Sequence, residues 1–221
     1  MKSGIVGCGI IAAMHANVIR ELPDNNLVAV ADIDFDKAVG FAKKYGSDGC
    51  TPYSSLEEMC RNENIDVLHI CTPHYLHVPM AEAALSKGIP VFMEKPPAMN
   101  RAEYNRLKRA ADHEKARLGL CFQNRYNPGT LQAMDLVKRG IPGKVYGGRA
   151  LVSWYRDKEY YTESGWRGSL LTEGGGALIN QAVHSLDLLT LFLGRPLTAD
   201  AVMANHHLKE IIQVEDMMEA Y

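Results

Sequence analysis

Short apolar runs alternate with stretches of helical period through the first half of the chain. Gly4–Val6, Leu27–Ala31, Asp66–Cys71, Ile89–Met93 and Leu118–Phe122 read as strands, with turn residues such as Pro23-Asp24-Asn25-Asn26 between elements. The segments starting at Ile10, at Asp34 (to Tyr45), at Met80 (to Lys87) and at Arg101 (to about Arg117) read as helices. Within the second of these, Phe35, Ala38, Phe41 and Ala42 fall on one face. Ser54-Ser55-Leu56-Glu57 fits a capping box opening a short helix, Asn100-Arg101-Ala102-Glu103 fits another, and Gly88 closes the helix before it. Strands linked by crossover helices predict a doubly wound parallel sheet, complete by about residue 123.

Beyond that point the pattern changes. Pro128 to Arg139 reads as a helix, and Gly140-Ile141-Pro142-Gly143 leads into Lys144–Tyr155, a long apolar and aromatic run that suits an antiparallel strand. A loop rich in Tyr, Trp and Gly precedes a helical pattern over Leu178–Leu193, closed by Gly194, and strand-like sequence resumes near Leu197. The fold class expected is α/β: a Rossmann-type sheet over residues 1–123, then the opening of an α+β domain over residues 124–221. Val214–Tyr221 stops in the run-in to another strand, so the protein is expected to continue.

The first strand breaks at Gly7-Cys8-Gly9-Ile10-Ile11-Ala12, a G-x-G-x-x-A spacing. Gly7 permits a tight turn, Gly9 lets a pyrophosphate approach the backbone, and Ala12 lets the helix pack close to the strand. The free N–H groups and positive dipole at the helix start then face the phosphates. Glycines also close ordinary strand-to-helix turns, so the pairing with Asp32, at the end of the second run, carries the inference. A carboxylate there would hold the adenine ribose hydroxyls. With Ile33 and Asp34 following and no nearby arginine, a 2′-phosphate would meet two carboxylates, which favours NAD over NADP.

Composition narrows the classes. The 221 residues are 47% hydrophobic and 23% charged, ordinary for a soluble globular protein with a large core. A net charge of −2 gives no electrostatic reason to expect nucleic acid or an anionic membrane. No apolar run reaches the ~18 residues of a membrane span, and a strand so near the start leaves no room for a signal peptide. Cys8, Cys50, Cys60, Cys71 and Cys121 are scattered without C-x-x-C spacing and read as free thiols in a reducing compartment, hence a cytoplasmic protein.

Three polar clusters follow strand ends, where open α/β sheets bind ligands: Thr72-Pro73-His74-Tyr75-Leu76-His77, Glu94-Lys95-Pro96-Pro97 and Gln123-Asn124-Arg125-Tyr126-Asn127-Pro128. Each alone reads equally as a solvated loop. Lys95, mounted between a buried strand and two prolines, could donate to a substrate hydroxyl or to its developing oxyanion, the alternative being a surface Lys–Glu pair. Further on, Gly174-Gly175-Gly176 opens a helical stretch in which Asn180, His184 and Asp187 share a face. His184 suits a general acid/base; the alternative is a core histidine held by Asp187. No metal site is expected.

As a set these motifs resemble the Gfo/Idh/MocA family of NAD(P)-dependent sugar and cyclitol oxidoreductases. The matching pieces are Gly7 to Ala12 with His15, Asp32, Thr72-Pro73-His74 with His77, Glu94-Lys95-Pro96, Asn124 to Pro128, Trp166-Arg167, and the glycine-rich helix with His184 and Asp187. The resemblance implies a second domain built on a large open antiparallel sheet, only partly present here, and a homodimer or homotetramer. It implies Lys95 and His184 as catalytic residues. Gly7, Cys8, Gly9, Ile10, Ile11, Asp32, Ile33, Thr72, Pro73, His77, Glu94, Lys95, Trp166 and Arg167 would lie on the cofactor side. Arg125, Arg156, Tyr160, Asn180, Gln181 and His184 would shape the pocket of a sugar, cyclitol or nucleotide-sugar substrate. Many members carry Asp where Asn180 stands; an amide exchanges no proton at neutral pH, so Asn180 is expected to orient substrate. Two rivals share the fold: a non-catalytic NAD-binding sensor and an NAD-using glycoside hydrolase.

Overall fold

The first apolar run forms β1 (Lys2–Val6) at the centre of a six-stranded parallel sheet. The other strands are β2 (Asn26–Ala31), β3 (Thr51–Tyr53), β4 (Val67–Ile70), β5 (Val91–Met93) and β6 (Leu118–Leu120), in the order β3-β2-β1-β4-β5-β6. The order reverses at β1, whose neighbours are β2 and β4, so the switch-point crevice opens beyond the ends of β1 and β4. This description comes from a computed structural model covering residues 1–113 and 117–221, which divides into two units, Met1–Cys121 and Phe122–Tyr221.

Alternation along the strands builds two cores, one on each face of the sheet. Ile5, Leu27 and Val30 pack with Ala12, Ala16 and Ile19 of α1 (Ile10–Glu21) and with Ala38, Phe41 and Ala42 of α2 (Phe35–Tyr45). Val6, Ala29, Ala31, Leu68 and Ile70 pack on the opposite face. There they meet α3 (Leu56–Asn62), α4 (His74–Leu85) and α5 (Arg101–Asp112). The β1–β2 ladder passes over Val28: Ser3 pairs with Leu27 and Gly4 with Ala29. Asp34, Ser55 and Asn100 each accept a backbone N–H three residues on, caps worth about 1 kcal/mol each.

Several boundaries differ from the sequence reading. The capping serine of α3 is Ser55, accepting from Glu58, one residue later than expected. Phe35, at the first turn of α2, is exposed while Ala38, Phe41 and Ala42 are buried. The α4 helix starts at His74, six residues before the expected Met80, because Pro79 is carried inside it. Burial of His74, His77, Val78 and Ala81 along that helix outweighs the bond the proline removes. The expected end of α5 near Arg117 runs onto residues outside the described set.

The second unit has a 3₁₀ turn (Gln123–Tyr126), α6 (Pro128–Lys138) and α7 (Lys158–Thr162). A π-helical turn (Ala177–Ala182) then runs into α8 (Val183–Leu193), and β7 (Ala201–Ala204) pairs antiparallel with β8 (Met217–Ala220). The strand expected over 144–155 does not form. The segment has no ladder partner among the described residues, and a strand without one leaves its backbone groups to water. It lies instead near α8, where Gly148 faces Leu189 and Leu193, while Tyr146, Leu151, Trp154 and Tyr155 stay exposed. Among the described residues, no helix is long and apolar enough to cross a membrane.

Glu215, next to β8, closes the start of the π-helical turn. Its carboxylate accepts the N–H groups of Gly176 (2.9 Å) and Leu178 (3.0 Å), and its carbonyl accepts that of Ala177 (2.9 Å). These donors lack intrahelical acceptors and gain one anionic cap. A Cβ on Gly176 would stand 2.0 Å from the Glu215 carbonyl oxygen. Gly176→Ala is therefore expected to destabilise the second unit by about 2–4 kcal/mol, read by urea denaturation, since backbone rather than a mobile side chain must move.

Candidate active site

Where β1 ends, Gly7 takes φ +87°, and a Cβ there would meet the Cys71 carbonyl group at 2.8 Å. Glycine is thus required for the ends of β1 and β4 to meet. Gly9 is different: a Cβ there would meet no protein atom within 4 Å, so its missing side chain leaves room on the ligand side. No side chain caps the start of α1, so its first N–H groups remain available. Ile10 and Ile33 are 89% and 96% exposed, aliphatic surfaces suited to cover a flat base or ribose.

Asp32 is held at the end of β2. Its Oδ2 accepts the Cys8 N–H (2.8 Å) and its Oδ1 the Asp34 N–H (3.0 Å). Lys37 brings an ammonium to 3.7 Å of Asp32, a cation the sequence reading passed over. The Cys8 thiol is pushed up to about 12 by burial and then by Asp32, so it stays protonated. Room at Gly9, unclaimed N–H groups, a fixed carboxylate and apolar flanks fit a dinucleotide; Gly7 to Ile11, Asp32 and Ile33 all belong to this corner.

The β4 and β5 ends add the next residues. Thr72 Oγ1 is buried with no hydrogen-bond partner, a polar atom oriented for a ligand. His77, 1% exposed, faces the carbonyls of Pro96 (2.8 Å) and Thr72 (2.9 Å) with its two ring nitrogens. Burial holds its pKa below the usual histidine value, against those two carbonyls. It braces the Thr72-Pro73 turn against the Lys95–Pro96 segment, whose peptide bond is cis, from behind.

Glu94 is buried, with Oε1 3.0 Å from His15 Nε2 and Oε2 accepting the Lys95 N–H (3.3 Å). Burial pushes its carboxyl up, but the His15 bond and charge, Cys121 and Lys95 together bring it below the usual carboxylate value. His15 Nδ1 lies 3.0 Å from His69 Nδ1, and His69 is pushed down to about 4 by burial and then by His15. The ligating atoms of His15, Glu94 and Cys121 lie within 4.8 Å of one another. Both His15 nitrogens are already engaged, so the group reads as a hydrogen-bonded support. Lys95, half-buried, follows Glu94 directly in the chain.

In the second unit, His184 is buried near the start of α8, its ring edge-on to Phe122 at 6.0 Å. Arg125 donates twice to the Asp187 carboxylate, at 2.7 and 2.5 Å. Its fork ties the 3₁₀ turn to α8, with the Arg125 side chain 42% exposed. Gln181 donates to the Tyr160 hydroxyl (3.1 Å) and accepts from Arg156 (3.2 Å). The Tyr160 ring carries the guanidinium carbons of Arg156 at 4.9 Å and Arg167 at 4.3 Å, and Arg167 also lies over Trp166 at 4.9 Å. Arg156, Tyr160, Trp166, Arg167, Asn180 and Gln181 therefore share one network.

That network contains a carboxylate the sequence reading missed. Glu173 is fully buried, accepts the Gly168 N–H and the Asn180 side-chain amide, and is raised by burial above the usual carboxylate value despite both bonds. A lone acid directly before three glycines was the available signal.

A family model described as "Oxidoreductase family, NAD-binding Rossmann fold" matches residues 1–122, and "GFO/IDH/MocA C-terminal domain" matches 130–221. Oxidoreductase P35 of Formosa agariphila is 28% identical, covering 86% of this chain and 60% of its own length. D-glucoside 3-dehydrogenase of Escherichia coli strain K12 is 30% identical, covering 89% of this chain and 55% of its own. The WlbA dehydrogenase of Bordetella pertussis, solved in complex with NADH and UDP-GlcNAcA, is 32% identical with a TM-score of 0.92, covering 99% of this chain and 65% of that one. The chain thus spans 55% to 60% of those two curated relatives.

Because His69 is neutral in the folded chain and its pKa is lowered, its contribution is intact above about 6.5 and lost as pH falls toward about 4. Stability of the first unit should fall across that window by up to about 1.4 kcal/mol per pH unit from this group. Urea denaturation of His69→Gln should lack that slope, while loss from Glu94, setting in below its ordinary 4.5, persists.

Proposed function

The chain belongs to the Gfo/Idh/MocA family of oxidoreductases, and on that premise we propose that it is an NAD-dependent dehydrogenase acting on a hydroxyl or keto carbon of a sugar, cyclitol or nucleotide sugar. The observation that carries this reading is the β1 corner: Gly9 open toward ligand, and Asp32 bonded to the Cys8 N–H at 2.8 Å. The first unit is read as the cofactor domain and the second as the start of the substrate domain.

Bound NAD would supply the hydride acceptor. The α1 start and the Gly7–Ile11 turn would hold its pyrophosphate and Asp32 its ribose hydroxyls, with Ile33 alongside. Thr72, Pro73 and Glu94 would hold its nicotinamide end, and Trp166 and Arg167 are read as further cofactor contacts. His184 takes the proton from the substrate hydroxyl, and Lys95 donates to the oxygen as negative charge develops. Asn180, Gln181, Tyr160 and Arg156 orient the sugar ring. The free cysteines fit a reducing cytoplasm, and the exposed aromatic run at residues 144–155 fits a homodimer or homotetramer.

Screening NAD reduction at 340 nm against cyclitols, hexoses, uronates and nucleotide sugars tests the reading. Release of an aglycone with no net NADH would mark the hydrolase instead, and silence against every sugar the sensor. Lys95→Ala should lower kcat by about two to four orders of magnitude while the Kd for NAD stays within a few-fold. Asp32→Ala should weaken NAD binding about tenfold and narrow its advantage over NADP, read by fluorescence titration with both dinucleotides.

A further inference from the structure

We propose that Glu173 is a positioning residue of this site, its buried carboxylate orienting the Asn180 amide and, through the Gly168 N–H, the strand of chain that carries Trp166 and Arg167. An asparagine side chain has two ends of nearly equal shape and opposite polarity, so something must choose between its orientations. Glu173 makes that choice: its Oε1 accepts from Asn180 Nδ2, and the flipped amide would set a carbonyl oxygen against a carboxylate. The amide oxygen is thereby turned away from Glu173 as an acceptor. Oε2 takes the Gly168 N–H, one residue beyond Arg167.

A fully buried carboxylate is costly and needs such bonds to be kept. The groups facing it are Arg167, which favours its charge, Glu215, which opposes it, and the Tyr161 phenol, whose own ionisation it disfavours. The same turn carries Gln181, which holds Tyr160 and Arg156, so one acid sets the register of the whole network.

The proposal rests on the dehydrogenase reading for what Asn180 serves. It is tested by a cycle of E173Q, N180D and E173Q/N180D in the full chain, following Tm, kcat and KM. E173Q should lower kcat about tenfold, with the KM for NAD changing less than twofold. N180D sets two carboxylates together and should lower Tm by several degrees at pH 7.5 and by less at pH 5.5, where one takes up a proton. The double variant exchanges carboxylate and amide, and should regain Tm and part of kcat.

Additive Tm changes, or E173Q with unaltered kcat and KM, would overturn the proposal. If the unsubstituted chain turns over no sugar, the dehydrogenase reading fails by itself. The thermal cycle, together with calorimetric sugar affinity of the NADH complex in E173Q, then decides: additivity or unchanged affinity overturns the positioning role, and coupling with weakened affinity supports it.

Discussion

The end of β1 must pass against the end of β4 so closely that any side chain at residue 7 would strike the Cys71 carbonyl. That contact is a matter of excluded volume, and the first unit's ligand corner depends on it. It brings the α1 start beside Thr72, and lets the chain turn so that the Cys8 N–H reaches Asp32. The sheet supplies rigidity on both faces, and the glycine supplies the one place where two strand ends can share a crevice.

The second unit solves its local problem with two acids, Glu173 fully buried and Glu215 half-buried. Glu215 caps the π-helical turn and Glu173 binds the side chain of Asn180 inside it. Each carboxylate is satisfied by N–H donors, the arrangement that low-dielectric surroundings demand. The π-helical turn runs directly into α8, and along the two Asn180, His184 and Asp187 meet different neighbours. Asn180 goes to Glu173, His184 to Phe122 and Asp187 to Arg125.

How much of this the sequence disclosed follows from range. Period-two and period-3.6 patterns report local burial, so the parallel sheet, most of its helices and the glycine corner with Asp32 were readable from residues near one another. The three-residue β3 is too short for a pattern, and Pro79 disguised the first turns of α4. The apolar run at 144–155 has strand composition, but composition names no partner, and pairing is a property of two segments. Glu173 and the Arg125–Asp187 fork escaped for a related reason: their partners lie 5 to 7 and 62 residues away, and no spacing rule links an acid to an amide across a glycine loop.

One detail of β2 bears on how such chains are compared. Val28 belongs to the strand but not to its ladder with β1, so the count of residues from the glycine corner to Asp32 includes one that the hydrogen bonds skip. Separation along the chain is therefore an elastic ruler here. A homologue one residue shorter at that point can keep its acid in the same place, and a search demanding a fixed interval between the glycines and the acid would pass it by.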